Sequence, residues 1–88
     1  MKVYFTKAFT KDLDKFRHAK IFARVKCIIE AIETVNNLGD IDNLKKLQGH
    51  AIYYRIRVGN YRIGIKIEQQ KITFMRLLHR REIYRYFP

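Results

Sequence analysis

Tyr54-Arg55-Ile56-Arg57-Val58-Gly59-Asn60-Tyr61-Arg62-Ile63 decides the architecture of this chain. Gly59-Asn60 is a two-residue turn signal between two runs that alternate apolar and polar residues, so the stretch reads as a β-hairpin. Counting outward from the turn sets the register. Val58 faces Tyr61, Ile56 faces Ile63, Tyr54 faces Ile65 and Ile52 faces Ile67 on one side of the sheet, while Tyr53/Lys66, Arg55/Gly64 and Arg57/Arg62 fall on the other. One face is core and the other is cationic. Like charges directly opposite each other oppose strand pairing by roughly a few tenths of a kcal/mol or more, and folding alone gives no reason to gather three arginines around Gly64. An anionic partner supplies a reason; a solvated basic face is the plainer alternative.

Downstream, the same period of two gives strands near 52–58, 61–68 and 71–79, with Glu68-Gln69-Gln70-Lys71 as a second hairpin turn. Ile72-Thr73-Phe74-Met75-Arg76-Leu77-Leu78 is apolar on both faces, as a strand inside a sheet should be. Upstream of Gly49 the period changes to 3.6: Ile21, Val25, Ile28, Ile32 and Val35, joined by Phe22 and Ile29, form the stripe of a helix over 20–38, closed by Asn36, Asn37 and Gly39. Thr10 is expected to cap a shorter helix running through about Arg17, with Leu13 and Phe16 as its apolar edge and His18 at its end, where a cation suits the macrodipole. Leu44 and Leu47 anchor a short turn or helix, and Val3 to Thr6 supplies a leading strand. The whole is α+β in the order β-α-α-β-β-β, two N-terminal helices packed on one face of a small antiparallel sheet, with the opposite face open for function.

Eighty-eight residues make one domain, 1–88, and 48% hydrophobic residues suffice for its core. Nineteen Lys and Arg against eight Asp and Glu give a net charge of +11, which favours a polyanionic partner such as nucleic acid. That charge is concentrated: residues 1–44 hold eight basic and six acidic side chains, net +2, and residues 45–88 hold eleven and two, net +9. The basic residues sit on expected strands rather than on a basic amphipathic helix, and no stretch is long enough to cross a bilayer, so a membrane is not the expected partner. The lone Cys27 offers no disulfide framework, and Met1-Lys2-Val3-Tyr4-Phe5-Thr6-Lys7 opens no secretory leader, so a cytoplasmic location is expected.

The chain has no Gly-rich phosphate loop, no Cys/His metal spacing and no Ser/His/Asp pattern. After Asp42 the only carboxylates are Glu68 and Glu82, which speaks against a metal-dependent nuclease. No metal or cofactor is expected, and any phosphoryl chemistry must run on arginine, histidine and tyrosine. Those types meet again in Leu78-His79-Arg80-Arg81-Glu82-Ile83-Tyr84-Arg85-Tyr86-Phe87-Pro88. His79, beside Arg80 and Arg81, is a candidate for proton exchange near neutral pH, or else a hydrogen-bonded histidine at a strand end. Arg80 is suited to stabilising charge on a phosphate. Tyr84 offers a hydroxyl for a proton or a ring for stacking on a base, Glu82 a salt bridge to a neighbouring arginine, and Tyr86 and Phe87 closure of the core.

These two stretches, with Leu44-Lys45-Lys46-Leu47-Gln48-Gly49 leading into the first strand of the hairpin, resemble the RelE/ParE superfamily of bacterial toxin-antitoxin toxins. The resemblance spans nearly the whole chain and implies the same helical pair on an antiparallel sheet. It implies for the RelE branch a ribosome-dependent ribonuclease that cuts mRNA in the decoding site, and for the ParE branch a poison of DNA gyrase. The basic strand face and Tyr84 match the RelE pattern, while Tyr61-Arg62-Ile63 and Leu77-Leu78-His79 occur in both branches. Carried over residue by residue, the RelE pattern maps onto Arg55, Arg57, Arg62, Arg80 and Tyr84; with His79 added on its own chemistry, the expected catalytic set is Arg62, Arg80, His79, Tyr84 and Arg57, and Arg55, Lys45, Lys46, Lys66 and Arg81 are expected to hold RNA. Arg55 and Arg57 stand where the best-known member has lysines; an arginine, with a pKa above ~12, is a poor proton acceptor, which leaves the general base open, with His79 as the candidate and His79 or Tyr84 expected to carry the proton transfer. The implied reaction is metal-free attack of an RNA 2'-hydroxyl on the adjacent phosphate. The implied partners are the ribosome, mRNA and a cognate acidic antitoxin laid over the positive face and an apolar groove. The alternatives are a gyrase inhibitor of the ParE kind and a basic module that binds nucleic acid without cutting it.

Overall fold

The computed structural model describes residues 1–16 and 18–88. Its elements are β1 (Lys2–Phe5), α1 (Lys7–Lys15), α2 (Ala19–Thr34), a 3-10 turn (Leu38–Asp40), β2 (Leu44–Lys46), β3 (Tyr53–Val58), β4 (Tyr61–Glu68), β5 (Lys71–His79) and α3 (Ile83–Tyr86). The five strands form one sheet in the order β1-β5-β4-β3-β2. The hairpin register is the one counted from Gly59-Asn60: Val58 pairs with Tyr61, Arg57 with Arg62, Ile56 with Ile63, Arg55 with Gly64, Tyr54 with Ile65 and Tyr53 with Lys66. Gly59 supplies the left-handed turn conformation, at φ +59°.

The sheet is larger and more mixed than an antiparallel meander with a leading strand. β1 runs parallel to β5, Val3 opposite Ile72 and Phe5 opposite Phe74. Leu44, expected with Leu47 to anchor a short turn or helix, lies instead on β2 and pairs antiparallel with Ile56, as Lys46 does with Tyr54, while Leu47 follows the strand into the second apolar cluster. Asn43, at φ +63°, turns the chain into this short edge strand.

The N-terminal helix also starts earlier than Thr10. Thr6 is its cap: the Thr6 hydroxyl accepts the Phe9 N–H at 3.0 Å and donates to the Met75 carbonyl at 2.8 Å, fixing the helix start to β5. The helix ends at Lys15 with Phe16 as its C-cap; Arg17, where its end was expected, lies outside the described residues. His18 is the N-cap of α2 rather than the end of α1. α2 buries Ile21, Val25 and Ile32 and stops at Thr34, because Val35 already adopts an extended conformation (φ −80°, ψ 150°).

Two apolar clusters sandwich the sheet. On the helical side, Phe9, Ile21, Val25 and Ile32 pack on Ile56, Val58, Ile63, Ile65, Ile72, Phe74 and Leu77. Full burial of each such side chain is worth about 1.5–3 kcal/mol. The other side is not left open: Leu47, Leu78, Ile83 and Phe87 form a second cluster flanked by Tyr53 and Met75. Phe87 closes this cluster, whereas Tyr86 is exposed.

A β-bulge sets which side the end of β5 presents. Gly64 pairs with Arg76 but Ile65 pairs with Phe74, so Met75 is an extra residue. Ile72, Phe74 and then Leu77 face the helices, with the alternation shifted by one after the bulge.

Candidate functional site

The cationic face is built from three elements. β3 contributes Arg55 and Arg57, β4 contributes Arg62 opposite Arg57, and the segment after β5 brings Arg80 and Tyr84 back over them. The Arg80 N–H donates to the Asn60 carbonyl at 2.8 Å, tying that segment to the hairpin turn. Arg55 Nε donates to the Tyr84 hydroxyl at 3.2 Å. Arg62 Nη1 donates to the carbonyls of Gly59 and Tyr61, each at 2.9 Å, which aims its fork along the turn.

Electrostatics ties these residues into one cluster. Burial first, then the positive charges of Arg55, Arg57 and, more weakly, Arg80 hold the Arg62 guanidinium below its ordinary pKa, with Tyr84 acting in the opposite sense. It stays charged at neutral pH, in a place where added negative charge is welcome. The carboxylates nearby in sequence are engaged elsewhere: Glu68 with Lys66 at 3.5 Å and Glu82 with Arg85 at 3.9 Å.

A cleft of about 370 Å³ opens beside the cluster, lined by Lys45, Lys46, His50, Arg55, Tyr84 and Phe87 among others. Three of its lining side chains, Lys45, Lys46 and Arg55, are cations, so the cleft favours an anionic occupant. Arg57 lines a separate hollow of about 320 Å³ with Arg24, Asp42 and Asn43. Among the described residues, no three His, Cys, Asp or Glu side chains come together as a metal site, and no helix is long and apolar enough to cross a membrane.

The structure therefore brings together Arg55, Arg57, Arg62, Arg80 and Tyr84, with Lys45 and Lys46 on the cleft wall. It does not bring His79 to them. His79 pairs with Tyr61, and its ring meets the Tyr61 ring edge-on at 5.6 Å, on the helix side of the sheet; its Nδ1 accepts the Arg81 N–H at 3.2 Å. Tyr61 in turn packs on Phe16 at 5.3 Å. Arg81 is exposed in the turn, and Lys66 is at the far end of β4, bridged to Glu68.

Three features of the site escaped the sequence. His50 lines the cleft, immediately after a turn that the Leu-x-x-Leu-x-Gly lead-in could have flagged. Gly64 is not an empty hole between arginines: a Cβ there would lie 2.7 Å from the Phe87 ring. Asp12 of α1, only 7% exposed, accepts hydrogen bonds from Arg76 Nε at 2.8 Å, Arg76 Nη2 at 3.2 Å and the Leu77 N–H at 2.9 Å. That contact raises the Arg76 pKa above the ordinary guanidinium value, burial acting against it.

Comparison with known proteins agrees with this geometry. The family described as ParE toxin of type II toxin-antitoxin system, parDE, matches residues 3–84. Toxin RelE3 of Methanocaldococcus jannaschii is 52% identical over the full length of both chains. The RelB-RelE antitoxin-toxin complex from Methanococcus jannaschii superimposes with a TM-score of 0.81 at 49% identity, covering 97% of this chain and 99% of that one. The toxin-antitoxin complex RelBE2 from Mycobacterium tuberculosis, at 24% identity and a TM-score of 0.70 over 90% of this chain and 96% of that one, shares the fold. The fold, the clustered arginines and these matches together show that the chain belongs to the RelE/ParE superfamily of type II toxin-antitoxin toxins, with RelE-like relatives.

Proposed function

We propose that this toxin is a ribosome-dependent, metal-independent endoribonuclease that halts translation by cutting mRNA. The observation that carries the reading is the Arg55–Tyr84 hydrogen bond inside a cation-lined cleft. Because the Tyr84 oxygen accepts from Arg55, its own proton is directed to another acceptor, which is the arrangement a proton donor needs.

In this reading a 2'-hydroxyl attacks the adjacent phosphorus in line, the bond from phosphorus to the 5'-oxygen breaks, and the products are a 2',3'-cyclic phosphate and a 5'-hydroxyl. Tyr84 donates its proton to the departing 5'-oxygen. Arg62 and Arg80 balance the charge that grows on the phosphate oxygens, the effect that fixed cations in a crowded site exert most strongly. Arg57 lies opposite Arg62 and adds to the same field; Arg55, Lys45 and Lys46 hold the RNA backbone along the cleft. His79, packed on Tyr61, takes no proton in this scheme. Such a toxin needs an antidote: a cognate acidic antitoxin that covers the positive face, as RelB accompanies RelE in the Methanococcus jannaschii complex. A ribosomal target puts its action in the cytoplasm.

The test is to add the protein to a defined translation extract and map new mRNA ends, with ribosome-free RNA and a gyrase supercoiling assay in parallel. Cuts confined to ribosome-bound message, lost in Arg80→Ala, are the expected outcome. Intact message with trapped, cleaved DNA would move the chain to the gyrase-poison reading, which the ParE description of the family keeps in view. Salt-sensitive RNA binding with neither activity would leave a binding module.

A further inference from the structure

We infer that His50 is the group that accepts the 2'-hydroxyl proton, in the cleft that Tyr84 also lines. The assignment rests on the ribonuclease reading above and fills the one role that reading leaves vacant. Removing a proton from the nucleophile calls for a side chain that is neutral in an appreciable fraction near pH 7, which arginine and lysine are not. Among the residues lining the cleft, His50 alone is of that kind.

Its position is built rather than incidental. The His50 N–H donates to the Leu47 carbonyl at 3.2 Å across a turn in which Gly49 takes φ +80°, and the Leu47 N–H donates to the Tyr53 carbonyl at 2.9 Å. The loop between β2 and β3 is thereby clamped at both ends. The imidazole then meets the Tyr53 ring edge-on at 5.7 Å, and Tyr53 meets Phe87 the same way at 5.6 Å. Backbone and ring stack both carry His50 to the wall that also holds Arg55 and Tyr84. The groups facing it are cationic or phenolic: Lys45 and Lys46 from β2, Arg55 and Tyr53 from β3, and Tyr84 from α3.

The proton balance closes with two protein groups. His50 takes the proton of the 2'-hydroxyl as the new oxygen–phosphorus bond forms, and Tyr84 gives one to the 5'-oxygen as the old bond breaks. Tyrosinate and imidazolium then return to their starting states by exchange with water, so no metal or co-reactant is required.

The experiment uses purified ribosomes programmed with a defined message, and compares wild type, His50→Gln and His79→Gln for single-turnover cleavage and for ribosome co-sedimentation. His50→Gln should bind ribosomes as the wild type does and cut about 10²–10⁴-fold more slowly, while His79→Gln should cut at close to the wild-type rate. Wild-type cleavage should fall on acidification from about pH 8 to about pH 5.5, and the residual cleavage by His50→Gln should be flat over that range. A His50→Gln variant that cuts at the wild-type rate, or loses cutting only in proportion to lost ribosome binding, overturns the role of His50 and leaves the ribonuclease reading standing. A wild-type chain that cuts no message overturns both.

Discussion

Arg55 Nε hydrogen-bonds the Tyr84 hydroxyl at 3.2 Å, joining β3 to the C-terminal helix α3. Tyr84 is 64% exposed, so little of the fold depends on it. Tyr84→Phe removes only the oxygen. Its thermal midpoint should match that of the wild type, its cleavage of ribosome-bound message should fall about 10²-fold or more, and its ribosome binding should hold. A midpoint lowered by several degrees, in step with the activity loss, would assign Tyr84 to structure instead.

Arg62, partly buried, should trade stability against function in the opposite direction from a core residue. It is desolvated among Arg55, Arg57 and Arg80, all of its own sign, and this holds its pKa below the ordinary value. A group whose folded-state pKa is depressed and whose charged form is the cation weakens the fold wherever it is protonated, which includes all of the neutral range. Arg62→Ala should therefore leave stability unchanged or slightly raised, despite the loss of two bonds to the turn carbonyls, while cleavage falls by about 10²–10³-fold, or ~3 kcal/mol of transition-state stabilisation. Chemical denaturation and end-mapping on the same preparation check both halves.

Much of this site was legible in the chain and one critical part was not. Gly59-Asn60 fixed the pairing of Arg57 with Arg62 and Arg55 with Gly64, because a two-residue turn leaves the register no freedom. α2 was legible from its stripe, although Val35 left the helix early. β2 is three residues long, too short for alternation to show. The face of His79 depended on the bulge at Met75: with unbroken alternation from Ile72 and Phe74, residue 79 would lie opposite the helices, among the arginines, and one inserted residue moved it to Tyr61. His50 reached the cleft through a turn and a loop-closing hydrogen bond from Leu47 to Tyr53, in an irregular segment that carries no period.

The lysines of β2 should act through charge alone. Lys45 and Lys46 are exposed on the cleft wall. Replacing each by Ala should weaken binding of single-stranded RNA and lower the slope of log affinity against log salt by about 0.7 per lysine. Fluorescence anisotropy over a salt series measures this. An unchanged slope would remove them from the RNA path.

Asp12 is the ionic anchor of α1 on β5. Asp12→Ala strips Arg76 of its carboxylate and leaves the Leu77 N–H without its acceptor. A pair broken at full burial costs about 3–5 kcal/mol; with the Arg76 side chain 29% exposed, water recovers part of that, and a loss of about 2–3 kcal/mol is expected. Because the contact raises the Arg76 pKa, the arginine's share of the stabilisation is complete below the ordinary guanidinium value and fades only as pH climbs past the raised one. Urea midpoints measured between about pH 7 and 9 should accordingly show a constant gap between wild type and Asp12→Ala.

Gly64 links the sheet to α3 by leaving room for a ring. A Cβ at this position would stand 2.7 Å from Phe87, inside any real contact distance, and Phe87 is 4% exposed, so its ring has nowhere cheap to go. Gly64→Ala should destabilise the fold by about 1–3 kcal/mol through overpacking. It should also reduce cleavage, because displacing Phe87 shifts the helix that carries Tyr84 away from Arg55. The two effects separate in a double mutant: Phe87→Leu offers a narrower side chain over the new methyl group, so Gly64→Ala combined with Phe87→Leu should be more stable than the sum of the two single losses requires. Strictly additive losses would mean that the ring and the glycine are not coupled, and that the C-terminal helix is held over Arg55 by Ile83 and Leu78 instead.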